Sequence, residues 1–196
     1  MSTTHVVVDG SNLATEGRTL PSLSQLEEAV AAYEEEHPAA EVIVVVDATF
    51  EHRIDAAEVD RFKAAELRGE YVSPPAGAIG RGDAFVLKIA KRTNAIVLSN
   101  DSFQEFHGEH PWLFEEGRLI GGKPVPVVGW IFTPRNPVRG AKSRAATKAA
   151  AKKAGPAKKL NVARPDGTKP KVGDTLTPTG PKPIRVHELA KELGLE

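Results

Sequence analysis

Residues 5–12 read His-Val-Val-Val-Asp-Gly-Ser-Asn, and the way this run stops decides the fold. A short β-branched run without alternation is the pattern of a strand buried on both faces of a sheet. Asp9-Gly10-Ser11-Asn12 then interrupts it with turn-forming residues. Two more apolar runs stop in the same manner, residues 42–46 at Asp47 and residues 95–98 at Ser99-Asn100-Asp101. In an open parallel α/β sheet the carboxyl ends of the strands share one edge, and ligands bind there. Carboxylates gathered on that edge repel one another and lose hydration unless they share a cation. The pattern implies an acid-lined Mg²⁺ site and a phosphodiester substrate.

Helical periods lie between these strands. Ser22 followed by Gln25 is a capping signal, after which Leu23, Leu26, Val30 and Tyr33 recur at helical spacing until His37-Pro38. Residues 55–69 form a second helical stretch, with Ala57, Phe62, Ala65 and Leu67 partly periodic and Gly69 as its stop. Tyr71-Val72 is a short strand, residues 73–82 are a Gly- and Pro-rich loop, and Asp83 opens a helix through Phe85, Val86, Ile89 and Ala90. Residues 13–21 read as a loop and 102–107 as a short helix. Residues 117–122 and 125–132 read as late strands joined by a hairpin. Strands alternating with helices of this length predict βαβ units and a mainly parallel sheet.

The composition divides the chain. It has 196 residues and a formal net charge of zero, yet residues 1–134 hold 11 Lys/Arg against 21 Asp/Glu, while residues 135–185 hold 14 Lys/Arg against 2 Asp. An acidic body followed by a basic stretch points to a nucleic-acid partner. The expected organisation is a nuclease-like domain over 1–138, a disordered Lys/Ala/Pro-rich linker over 139–183 and a short amphipathic helix over 184–196. In that last helix Val186, Leu189, Ala190 and Leu193 share a face. There is no cysteine, which excludes disulfides, thiolate metal sites and Cys nucleophiles. No charged-then-apolar leader and no run of membrane-spanning length is present, so no membrane association and a cytoplasmic location are expected.

The candidate metal ligands are Asp9, Asp83 and Asp101, with Asp47 as a further carboxylate on the same edge. Each has an ordinary alternative. Asp9, Asp83 and Asp101 are at home as helix caps or in Asx turns, and Asp47 could be a strand-end turn residue. Independent caps need not follow three separate buried strands, whereas Mg²⁺ takes several oxygen ligands while keeping waters, and can activate one of them. Asn12 can orient a carboxylate, a water or a phosphate oxygen without adding charge; Ser11 and Ser99 can do the same. Arg81, in the glycine-rich stretch 77–82, is placed to meet a phosphate, and His52 and Arg53 to line the cleft.

The segments VVVDGSN (6–12), GDAFVLKIA (82–90) and VLSNDSF (97–103), in this order, resemble the NYN branch of the PIN-like nucleases, closest to its Regnase-type (Zc3h12a-like) ribonucleases. The resemblance spans roughly residues 4–134. It implies a Rossmann-like three-layer α/β sandwich that cuts RNA internally with Mg²⁺ or Mn²⁺, with Asp9, Asn12, Asp83 and Asp101 as metal and catalytic residues. Regnase-type proteins usually carry two adjacent acids before the Phe-containing helix. Here the pair is Gly82-Asp83, and Asp47 is the residue that could supply the absent charge. The stretch from Lys142 to Lys159 resembles linker-histone tails and implies RNA binding, with non-specific DNA binding besides, through charge. Residues 184–194 resemble the opening helix of the N-terminal domain of bacterial translation initiation factor 2, which implies a bacterial source. Two other functions fit the same residues: a PIN-like protein that binds RNA or DNA without turnover, and a metal-dependent phosphatase or nucleotide hydrolase. The sequence leaves the oligomeric state open.

Overall fold

The computed structural model describes residues 4–75 and 82–154. Six strands, β1 (Thr4–Asp9), β2 (Ala40–Val45), β3 (Tyr71–Val72), β4 (Ile96–Leu98), β5 (Leu119–Val125) and β6 (Gly129–Pro134), form one sheet in the order β3-β2-β1-β4-β5-β6. The first five are parallel and β6 pairs antiparallel with β5. The helices are α1 (Gly10–Thr15), α2 (Leu23–Glu36), α3 (Ala56–Leu67), α4 (Gly82–Thr93) and α5 (Ala141–Ala154).

The valine run becomes the central strand because both of its faces find an apolar layer. Val6 and Val8 join α1, α2 and α3 in one core cluster, and Val7 joins α4, Phe103 and Leu113 in the other. All three valines are fully buried, each contributing about 1.5 kcal/mol or more by leaving water. In β2 and the residue after it the same alternation sends Val44 and Val46 to the first layer and Val45 to the second. The result is a mostly parallel α/β sheet with helices on both faces. From β1 the chain builds outward through β2 and β3, then crosses to β4 and β5 on the other side. The order thus reverses between β1 and β4, and the crevice above their carboxyl ends is where such a sheet accepts a ligand.

Four expectations are corrected. Residues 10–15 form a helix, not the start of a loop, because the Asp9 carboxylate accepts the Asn12 N–H at 3.2 Å and caps it. Leu67 is exposed, lying at the last turn of α3 beyond the packed face. Residues 102–107 do not form an α-helix: Phe103 takes a left-handed backbone conformation (φ 49°, ψ 39°) before a single 3₁₀ turn, Gln104–Phe106.

The fourth correction concerns the basic stretch, whose first part, 141–154, is the helix α5 rather than disordered chain. Its inner face is made of small residues. Ser143 is buried, and the Ala146 carbonyl and Ala150 Cβ lie so close to Gly108 that a side chain there would strike them. The His107 ring, 3% exposed, holds this face: one nitrogen lies 2.6 Å from Ser143 Oγ and the other 2.5 Å from the Ser102 carbonyl. A carbonyl only accepts, so Nε2 carries a proton and donates it to Ser102. The remainder of the expected linker and the C-terminal helix lie outside the described residues. Among the described residues no helix is long and apolar enough to cross a membrane.

Candidate active site

Asp9 ends β1 at the reversal point. Its carboxylate is 6% exposed and accepts the Ser99 hydroxyl at 2.8 Å as well as the Asn12 N–H. Burial above all, then the charges of Asp83 and Asp47, push its carboxyl up to about 7, against the downward pull of the Ser99 and Asn12 hydrogen bonds. A carboxyl raised by burial, and further by neighbouring carboxylates, is an electrostatically unsatisfied group, and a cation relieves it.

The other two acids arrive from separate elements. Asp83 sits in the first turn of α4. Asp47 follows β2, its own N–H bonded to Ser11 Oγ at 2.8 Å. Gly82 explains how this acid reaches the group: a Cβ at position 82 would collide with Asp47 Oδ1. The Asp47 carboxylate therefore fills the space that a side chain at 82 would take. Among the described residues no group of three or more His, Cys, Asp or Glu side chains is close enough to clasp an ion unaided. The donors are nevertheless all oxygen and mutually repelling, and Mg²⁺ keeps several waters as ligands. That donor chemistry fits a hydrated divalent ion.

The Ser99-Asn100-Asp101 segment is tied to β1 and β5 from several sides. Asn12 Oδ1 accepts the Asn100 N–H at 2.8 Å, and Asn100 Nδ2 donates to Glu16 at 2.9 Å and to the Gly122 carbonyl at 2.7 Å. Gly122 returns its N–H to Asn100 Oδ1 at 3.1 Å. The Arg135 guanidinium reaches the Ser99 carbonyl at 3.3 Å and Ser102 Oγ at 3.2 Å. Asp101 itself is exposed at the rim; it accepts the Phe103 N–H at 2.7 Å, and its own N–H donates to Ser99 Oγ at 3.0 Å. Asn100→Ala removes both amide bonds to Gly122 and the bond to Glu16. It is expected to lower unfolding stability by about 2–3 kcal/mol, read as the shift of a urea melting midpoint at constant slope.

The structure thus brings the charges of Asp83 and Asp47 to bear on Asp9, with Asn12, Ser11 and Ser99 bonded to Asp9 or Asp47, and leaves Asp101 exposed. His52 is exposed and paired with Glu51 at 3.4 Å, while Arg53 lines a different pocket on the same edge of the sheet. Arg81 lies outside the described residues. Sequence reasoning passed over Asn100, Arg135 and His107. Asn100 carried a signal, being flanked by two chosen residues; the other two act only through contacts distant in sequence.

The family model described as the Zc3h12a-like ribonuclease NYN domain matches residues 2–120. No curated protein matches. Two solved structures of the nuclear protein-only RNase P 2 (PRORP2) of Arabidopsis thaliana are similar to this chain. One is 17% identical, covering 68% of this chain and 30% of that chain with a TM-score of 0.50. The other is 16% identical, covering 70% and 31% with a TM-score of 0.49. The chain therefore spans about a third of the length of those proteins.

Proposed function

The chain belongs to the Zc3h12a-like ribonuclease NYN domain family, and from that premise we propose that it is a metal-dependent endoribonuclease. The observation that carries the reading is the Asp9 carboxyl, raised by its burial and then by the charges of Asp83 and Asp47, at the point where the strand order reverses. Asp9, Asp83 and Asp47 would hold a Mg²⁺ or Mn²⁺ ion, with Asp101 at the rim beside them. When bound, the ion supplies a water of lowered pKa and neutralises charge on the phosphate. The chain's own part is placement. Ser99 Oγ fixes one oxygen of Asp9 and the Asn12 N–H the other, so that the carboxylate keeps a single orientation. The Asn12 side chain, bonded to the Asn100 N–H, keeps the Asp101 segment at a set distance from β1.

The acidic body repels RNA, and the basic residues offset that. On α5, Arg144, Lys148 and Lys152 are exposed and recur every fourth residue, on the side away from Ser143, Ala146 and Ala150. This row suits a phosphate backbone and carries no sequence information, so it would take DNA as well.

The deciding experiment is incubation of the full chain with single-stranded RNA in Mg²⁺, Mn²⁺ or EDTA. Internal cuts in either metal, and none in EDTA, are expected. RNA binding without cuts in either metal would replace the enzyme with a binding protein.

A further inference from the structure

A pocket of about 360 Å³ opens between the segment leading into α2 and the segment leading into α3. Both helices follow parallel strands and run back along the sheet, so both begin on the carboxyl edge, the edge that carries the acids. Pro21 and Ile54 are buried in its wall and Leu20 is exposed at its lip.

The polar groups around this pocket are almost all engaged. Asp55 caps α3 by accepting the Ala57 N–H at 2.9 Å. Glu58 accepts the Leu23 and Ser24 N–H groups at 2.9 Å each and the Ser24 hydroxyl at 2.7 Å, closing the start of α2. Ser22 Oγ accepts the Gln25 N–H at 3.3 Å. The exceptions are Arg18 and Arg53. Both are exposed, both line the pocket, and among the described residues neither side chain has a hydrogen-bond or ion-pair partner. That is unexpected in a body where acids outnumber bases 21 to 11. Where carboxylates are in such excess, two arginines without one at a concave site leave their forks for another anion.

Guanidinium forks match phosphate oxygens two at a time. The volume lies at the small end of the range for ligand pockets, suited to one nucleotide rather than a duplex. The apolar wall offers a face to a base without an aromatic to stack on. We propose that this pocket is a nucleotide subsite of the RNA strand beside the acid group, in which Arg18 and Arg53 grip a backbone phosphate and Leu20, Pro21 and Ile54 receive the base with little sequence preference. The inference rests on RNA being the substrate.

The test is fluorescence polarisation of a labelled single-stranded RNA 12-mer in EDTA, which reads binding without cutting. Arg18→Ala and Arg53→Ala are each expected to weaken binding about fivefold to tenfold. The double variant should weaken it more, with a salt slope flatter by about 0.7 for the phosphate released. Arg68→Ala, at the far end of α3 and paired with Glu70 at 2.5 Å, should leave affinity within about twofold. Arg18→Lys/Arg53→Lys should recover part of the affinity, since charge returns without the fork. Wild-type protein that binds and cuts RNA while the double alanine variant binds equally well would overturn the subsite alone. Wild-type protein that neither binds nor cuts RNA would overturn both the subsite and the function it rests on.

Discussion

Asp9→Asn is expected to abolish RNA cleavage, by on the order of 100-fold or more, and at the same time to stabilise the metal-free protein. The two effects have one cause. In the unfolded chain this carboxyl releases its proton near the ordinary value of 3.8; in the folded protein it keeps it until about 7. Between those values folding takes up a proton. The carboxyl therefore costs nothing below the unfolded pKa, costs more as the pH rises through the window, and costs most above the folded pKa. Three pKa units set an upper bound of about 4 kcal/mol. Asparagine carries no charge but keeps only one acceptor oxygen, so it forfeits part of the Ser99 and Asn12 bonds. The expected net gain at pH 8 in EDTA is about 1–2 kcal/mol, several degrees in melting temperature. At pH 4 the gain should vanish. Added Mn²⁺ should raise the melting temperature of the wild type and not of the variant. Undiminished cleavage together with an unchanged pH profile of stability would show that Asp9 is neither buried as described nor part of the chemistry.

What the sequence revealed, it revealed through patterns that depend on near neighbours. Buried strands announce themselves as unbroken valine runs, and the acids after them stand out because a strand end and a charge fall on adjacent residues. For the same reason Asp9 was legible both as a cap and as a site residue, and the structure shows it capping α1 while its charge meets Asp47 and Asp83. The misses are of two kinds. Helix α1 was hidden because Gly10, Ser11 and Asn12 carry turn chemistry, which the Asp9 cap overrides. Helix α5 was hidden because it packs through Ser143, Ala146 and Ala150, side chains too small to register as a hydrophobic face. It docks by close approach to Gly108 and a histidine bridge rather than by apolar area. Asn100 and Arg135 could not be ranked from the chain alone, since their work is defined by Gly122, Ser99 and Ser102 in space.

The relation between Asp47 and Gly82, raised by the single acid before α4 and given a geometry by the collision of a Cβ at 82 with Asp47 Oδ1, makes the strongest test of the site. Asp47→Ala is expected to reduce cleavage by about 10-fold to 100-fold and to diminish the rise in melting temperature produced by Mn²⁺. Gly82→Asp in the wild-type background should also be harmful, because its Cβ would strike Asp47 Oδ1 and two carboxylates would be forced into one volume, at a cost of about 1–3 kcal/mol in stability. The combination Asp47→Ala/Gly82→Asp removes the obstructing carboxylate and reintroduces one from the start of α4. It is expected to recover most of the Mn²⁺ response and at least a tenth of wild-type cleavage, so that each substitution rescues the other. Residues in direct contact show such non-additivity, and independent ones do not. A double variant no better than Asp47→Ala would mean that the space above Gly82 is filled for packing alone, and that the negative charge needed there comes from Asp9 and Asp83 without Asp47.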